Sequence, residues 1–326
     1  MKILVIGCGS IGARHIENIL NLKNYQIIAF DIDHKRLEII KSKHPNIVAI
    51  NKLGHAWKLR PEIVFITSPT YLHIPFALDA AKYKCHLFIE KPLSHSLQNI
   101  TRLEQLIKQN KLITLVGCNM RFYWAIAKIK DLLSEHIIGK VFSVQISAGS
   151  YLPDWHPHED YRKLYAAKEK LGGGAIFDFI HELDYASWFF GEIETITGMY
   201  GKVSNLEIET EDLAEIICKF RAGPLVSIHM DYFERAYSRS CRIIGELGTI
   251  FWEFTAHTIK VFSVQTQKWK TIRELKNYDM NKMYIEELRY FFNCVRKDKS
   301  TFNEVFNGAK TLKQALVFKQ KGTRVN

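Results

Sequence analysis

The sequence predicts two α/β domains: an N-terminal doubly wound parallel sheet, then an α+β domain with a large, mostly antiparallel open sheet. Three observations carry this. Short apolar runs alternate with helical patterns over about 120 residues, as in a parallel α/β sheet. The first run ends in a glycine turn that opens a helix. After that, long strands with alternating apolar and polar positions take over. A chain of 326 residues is long enough for two cores, and the boundary falls near Gly117 to Arg121, giving domains 1–120 and 121–326.

In chain order, Ile3 to Ile6 reads as an inner strand, and Gly7-Cys8-Gly9-Ser10-Ile11-Gly12 follows it without a gap. Helical spacing then runs to Leu22. Gly7 permits the sharp turn, Gly9 lets the backbone approach a pyrophosphate, and Gly12 lets helix and strand pack closely. Ser10 and Ile11 open the helix, whose unpaired N–H groups face the phosphates. A second strand, Gln26 to Phe30, ends in Asp31, nineteen residues after Gly12. A carboxylate there accepts from the ribose hydroxyls of NAD and repels a ribose phosphate, so NAD is expected over NADP. Arg36 softens that preference if it folds back.

The series continues with a helix over His34–Ser42 and strands at Asn46–Ile50 and Ile63–Ile66, the latter ending at Thr67-Ser68-Pro69. A helix over Tyr71–Tyr83, a strand over Cys85–Ile89, a helix over Leu97–Gln109 and a strand over Leu112–Val116 complete it. Ligands of such sheets lie beyond the carboxyl ends of the strands, where Gly7, Asp31, Ser68 and Lys91 all fall. The second half opens with a helix over Trp124–Leu133. Strands follow at Val141–Ala148, Ile193–Val203, Leu213–Phe220, Leu225–Tyr232, Arg242–Ile244, Thr249–Phe254 and Thr258–Val264. A helix from about Gly174 interrupts the strands, and helices over Tyr284–Val295 and Glu304–Phe318 end the chain.

Composition bounds the class. With 47% hydrophobic and 24% charged residues the chain is an ordinary globular one. No apolar run reaches about 18 residues, so neither a membrane span nor a membrane partner is expected. Six scattered cysteines without a C-x-x-C pair argue for a reducing, cytoplasmic setting and against a zinc site. The net charge of +11 is spread out, with no run of five or six basic residues, so no nucleic-acid stripe is evident.

Three constellations can carry chemistry. Glu90-Lys91-Pro92 sits at a strand end beside the expected nicotinamide site, where proline restricts the lysine backbone and a lysine can relay protons. Gly172-Gly173-Gly174 precedes a helix on which Asp178, His181 and Asp184 recur every three residues and share a face, an arrangement that orients an imidazole. The loop from Tyr151 to Arg162 gathers Trp155, His156, Tyr161 and Arg162, a mixture suited to stacking on sugar faces and binding hydroxyls or phosphate. Two histidines there do not make a metal site, and none is expected.

Taken together, GCGSIGARH at Gly7–His15, Asp31, TSPTYLH at Thr67–His73, EKPLS at Glu90–Ser94, VGCNMRF at Val116–Phe122 and GGGAIFDFIHELD resemble the Gfo/Idh/MocA family, the glucose–fructose oxidoreductase and inositol dehydrogenase group. The HELDY form resembles a subgroup linked to bacterial surface-sugar biosynthesis. The resemblance implies a Rossmann domain and a second domain used for substrate binding and oligomerisation. It further implies hydride transfer between nicotinamide and a sugar-like alcohol or ketone, an amino sugar or nucleotide sugar among them. Lys91, Asp178 and His181 are the catalytic residues it implies, although only Phe179 and Ile180 separate the last two, one residue fewer than usual. Thr67, Ser68, Pro69, His73, Glu90 and Lys91 join the glycine turn and Asp31 as cofactor residues. Arg121, Trp155, His156, Tyr161, Arg162 and Asp184 are the expected substrate residues. A homodimer or homotetramer is expected, joined through the open sheet face. The alternatives are a reductase of a non-sugar substrate of the biliverdin type and a non-catalytic dinucleotide sensor. Joint presence of Lys91, Asp178 and His181 argues against the sensor.

Overall fold

A computed structural model describes residues 1–23 and 25–325, and the chain divides into two compact units. Met1–Asn119 with Asn281–Leu312 make the first; Met120–Met280 with Lys313–Asn326 make the second. In the first, β1 (Lys2–Ile6), α1 (Ser10–Leu22), β2 (Gln26–Phe30), α2 (His34–Lys43), β3 (Val48–Ile50), α3 (Leu53–Lys58), β4 (Ile63–Ile66), α4 (His73–Lys82), β5 (His86–Glu90), α5 (Ile100–Asn110) and β6 (Thr114–Gly117) alternate. The six strands pair in parallel in the order β3-β2-β1-β4-β5-β6. Every residue of β4 is buried, as is all of β1 after Lys2. Both sheet faces are covered, which is why these strands read as continuous apolar runs.

The second unit holds α6 (Trp124–Ser134), β7 (Val141–Gly149), α7 (Ala175–Asp178), α8 (Ile180–Phe190), β8 (Ile193–Gly201), β9 (Leu213–Phe220), β10 (Leu225–Asp231), β11 (Ser238–Gly245), β12 (Gly248–Glu253), β13 (Thr258–Ser263) and β14 (Lys268–Arg273). After these come α9 (Asn281–Arg296), α10 (Val305–Lys321) and β15 (Thr323–Val325). Nine strands form one sheet, β14-β13-β12-β11-β7-β10-β9-β8-β15, antiparallel except for the β7–β10 and β8–β15 pairs. Alternation is strict where it matters. Ala214, Ile216 and Cys218 of β9 are buried while Glu215, Ile217 and Lys219 are exposed, and Val226, Ile228 and Met230 are the buried set on β10. Helix α8 packs on the covered face against β7.

The structure differs from the sequence expectation in three respects. Helix α9 belongs to the first unit, not to a 121–326 domain: Phe291 and Phe292 pack on Phe65, and Phe291 also on Phe88. Its amphipathic pattern shows that one face is buried but not against what. The short α3 and the strands β14 and β15 were not expected. All of β14 except Ile272 is exposed, so no alternation marks it as a strand. Finally, the helix after the triple glycine is broken at Phe179 (φ −93°, ψ 28°) into α7 and α8.

Candidate active site

On the first unit the glycine turn is a main-chain construction. Gly7 N–H donates to Phe30 O at 2.8 Å, and its φ of +99° is a left-handed conformation natural to glycine. A Cβ on Gly7 would lie 2.8 Å from Thr67 O, and one on Gly12 would lie 1.9 Å from Gly7 O. Gly9 differs: a Cβ there would meet only Arg36 Nη1, at 3.8 Å, so its backbone is open to approach. Ser10 and Ile11 begin α1, which has no acidic residue in its first turn and no side-chain cap. Those free N–H groups fit the pyrophosphate of a dinucleotide.

Asp31 is buried at the end of β2. Its Oδ2 accepts from Cys8 N at 2.7 Å and its Oδ1 from Asp33 N at 2.9 Å. Each oxygen retains accepting capacity for ribose hydroxyls. Arg36 does fold back, with Nη1 at 3.7 Å from Asp31 Oδ2 and Nε at 3.7 Å from Asp33 Oδ2. Burial, reinforced by Asp31, pushes the Cys8 thiol up to about 12, so this cysteine packs the turn and is not a reactive thiolate.

The remaining expected cofactor residues divide by role. Thr67 Oγ1 donates to Gly7 O at 2.7 Å and so holds the turn from behind. Ser68 is half-buried and Pro69 exposed at the mouth beyond β4. His73 is fully enclosed, its Nε2 at 2.8 Å from Ser68 O and its Nδ1 at 2.9 Å from Pro92 O. It therefore ties the loop after β4 to the loop after β5 rather than presenting a ring to a ligand. Burial lowers its pKa against those bonds. Glu90 is likewise buried, accepting from His15 and from the Lys91 backbone N–H. Lys91, half-buried, follows directly at the strand end.

On the second unit, three expected residues do not lie as the periodicity implies. The break at Phe179 leaves Asp178 at the end of α7 and puts His181 in the first turn of α8, so Asp178, His181 and Asp184 do not line one helix. Gly174 precedes α7 at φ +116°, where a Cβ would run into the Glu211 carboxylate. Asp184 is bonded to an arginine. Both its oxygens go to Arg121, Oδ2 to Nε at 2.7 Å and Oδ1 to Nη2 at 2.8 Å. Arg121 and Asp184 are both buried, and the paired hydrogen bonds brace the unit.

Asp178 instead accepts from two tyrosines, Tyr165 Oη at 2.7 Å and Tyr232 Oη by a short bond. Burial, with Asp178 beside it, drives the Tyr232 pKa well up, so Tyr232 is a neutral donor. Trp155 joins this cluster. Its ring meets Tyr232 edge-on at 5.4 Å and its Nε1 donates to Ser150 Oγ. The other loop residues have partners of their own. His156 lies 3.7 Å from Glu159, Tyr161 Oη accepts from Glu207 N, and Arg162 pairs with Asp160 and Glu207 at the surface. Tyr165 and Tyr232 escape a sequence reading because they reach Asp178 from a turn and from the residue after β10.

A family model described as an oxidoreductase family with an NAD-binding Rossmann fold matches residues 1–118, and the GFO/IDH/MocA C-terminal domain matches residues 126–251. The myo-inositol 2-dehydrogenase of Thermotoga maritima is 29% identical over 309 residues, 91% of this chain and 88% of that protein. The uncharacterized oxidoreductase YrbE of Bacillus subtilis is 30% identical over 258 residues, 75% of this chain and 71% of its own. A structure of levoglucosan dehydrogenase in complex with NADH superposes with a TM-score of 0.89 at 16% identity, covering 98% of this chain and 96% of that one.

Proposed function

Because the chain belongs to the GFO/IDH/MocA oxidoreductase family, whose first domain is an NAD-binding Rossmann fold, we propose that it moves a hydride between NAD and a carbinol or carbonyl carbon of a sugar or cyclic polyol. The observation that carries this reading is the open backbone at Gly9 beside the buried, doubly held carboxylate of Asp31. That pair fits a pyrophosphate and a ribose diol together. A relative named myo-inositol 2-dehydrogenase, matched over most of its length, supports a polyhydroxylated substrate.

NAD supplies the hydride acceptor at its nicotinamide. The chain's own residues do the rest. N–H groups at the start of α1 hold the pyrophosphate, and Asp31 accepts from the ribose hydroxyls. Lys91 and His181 handle the proton that must leave the substrate hydroxyl, or reach the carbonyl oxygen in reverse. Asp178, held by Tyr165 and Tyr232, is the acidic residue supporting the imidazole. Trp155 offers an aromatic face for the ring of a sugar, an amino sugar or the sugar of a nucleotide sugar.

We place self-assembly on the open face of the nine-stranded sheet. Met199, Ile217 and Leu225, each about half exposed, give that face its apolar content. Ile217→Lys should convert a dimer or tetramer to monomer in light scattering, and a wild-type monomer would end that part of the reading.

The deciding experiment incubates the purified chain and NAD with myo-inositol, levoglucosan, free hexoses and nucleotide-linked hexoses, following NADH absorbance. Oxidation of one cyclic polyhydroxy compound is the expected result. A chain that binds NADH but neither oxidises any of these nor reduces the matching ketones is a sensor, and the enzymatic reading falls.

A further inference from the structure

Glu90 and His15 are buried ionisable residues to which the reaction above gives no task. His15 is wholly enclosed on α1, the sixth residue of the helix that the glycine turn opens. Three aromatic rings surround it: Phe88 at 5.0 Å, Phe65 at 5.7 Å and Tyr284 at 6.1 Å. Its Nε2 lies 2.6 Å from Glu90 Oε1, and the other carboxylate oxygen, Oε2, accepts from the Lys91 backbone N–H at 3.1 Å. Gly117 on β6 leaves room for this carboxylate, since a Cβ there would lie 3.4 Å from Glu90 Cδ and 3.1 Å from the Phe88 ring.

A carboxylate in such a place is costly unless donors hold it. Here one donor comes from the nucleotide helix and the other is the main chain of the lysine. The Nε2–H tautomer fits best, because Nδ1 is enclosed with no hydrogen-bond partner among the described residues, and an acceptor left so costs less than an N–H left so. We propose that His15 and Glu90 form a positioning dyad that fixes the backbone of Lys91, tying the lysine to the helix that carries the dinucleotide's phosphates. The inference rests on the role given to Lys91 above. Neither dyad member touches substrate; each acts through Lys91.

His15→Phe fills the aromatic box without donating, Glu90→Gln keeps the shape of the carboxylate without its charge, and His15→Gln restores one N–H. The readout that needs no substrate is amide hydrogen exchange at Lys91, measured by NMR. It should rise about tenfold or more in His15→Phe, with the β5 amides unmoved. With the polyol turned over in the panel, kcat should fall roughly ten- to a hundredfold, as for a catalytic group displaced by about an ångström. NADH affinity and KM should hold within about twofold, and His15→Gln should recover part of kcat. In a Lys91→Ala background, His15→Phe should cost nothing more, since coupled residues are not additive. Unchanged exchange at Lys91 in both His15→Phe and Glu90→Gln overturns the dyad, as do losses that simply add to that of Lys91→Ala. Full turnover by Lys91→Ala instead removes the role of Lys91, while the exchange data still decide whether the dyad holds its backbone.

Discussion

The two units build their halves of the chemistry from different materials. The first uses main chain, with three glycines within six consecutive residues: Gly7 bonded to Phe30, Gly12 pressed on Gly7, Gly9 left open. The second uses side chains brought from far apart: Tyr165 and Tyr232 on Asp178, Arg121 on Asp184, Glu182 with Arg239. A site made of backbone tolerates little substitution and leaves a contiguous signature. One made of side-chain pairs can be rebuilt with other residues, which suits a surface that must match a particular substrate.

The sharpest division between the units appears when chemistry is removed and binding kept. His181→Ala and Lys91→Ala should each lower turnover by about two to four decades, the span for a lost general acid or base. NADH affinity, read by fluorescence, should stay near wild type. Loss of NADH binding in parallel with activity would break the division. Asp178→Asn should cost less than His181→Ala if the carboxylate only supports the imidazole.

Next in size is the Arg121–Asp184 ion pair, whose residues the family resemblance assigns to the substrate. Removing one partner of a buried, bidentate pair leaves a stranded charge, worth about 3–5 kcal/mol. Arg121→Ala or Asp184→Ala should therefore lower stability by that order in denaturant melts. A variant that melts normally but has a raised KM would return Arg121 to the substrate site.

Legibility followed the same divide. The glycine turn, Asp31 and the strand ends could be read because each residue's neighbours in space are its neighbours in sequence, or lie at fixed positions of a βαβ unit. Asp178, His181 and Asp184 were readable as a set but not as an arrangement. Spacing of three implies one helix face only if the helix is continuous, and here it breaks at Phe179. Arg162 looked like a ligand group because composition cannot show that Asp160 and Glu207 already hold it. Helix α9 misled the domain boundary for the same reason: an apolar stripe does not name its partner.

A smaller effect separates Tyr232 from its neighbours. Tyr232→Phe keeps the ring against Trp155 and removes the hydroxyl bonded to Asp178. A hydrogen bond to a charged group is worth about 1.5–3 kcal/mol, so turnover should drop by about tenfold or somewhat more. NADH affinity should not move. Unchanged kcat in Tyr232→Phe would mean that Tyr165 alone positions the carboxylate.

The open sheet face offers a pH test confined to the second unit. His229 donates toward Asp231 and Glu215, which lift its pKa to about 9 against burial. The folded value lies above the unfolded one of about 6.5, so the protonated ring stabilises the fold. That contribution is complete below about pH 6.5 and is lost as pH rises through about 9. The side chain is 34% exposed, so solvent screening limits it to about 1 kcal/mol or less. His229→Gln should flatten the decline in melting temperature over that interval, and an equally steep decline in the variant would remove His229 as its source.

The smallest effect bears on the first unit, where a side chain intrudes on the backbone-built site. Arg36 lies between Asp31 and Asp33 at the open edge of Gly9 and is about half exposed. Its guanidinium offsets carboxylates that would otherwise repel a ribose phosphate, so it narrows the preference for NAD without reversing it. Exposed ion pairs are worth about 0.2–1 kcal/mol. Arg36→Ala should then widen the ratio of kcat/KM for NAD over NADP by about two- to fivefold, mostly through a higher KM for NADP. The gap should shrink with added salt, because these charges face solvent. A ratio that narrows on removing Arg36 would mean the arginine favours NAD directly, through the adenine or the ribose, and not by balancing charge.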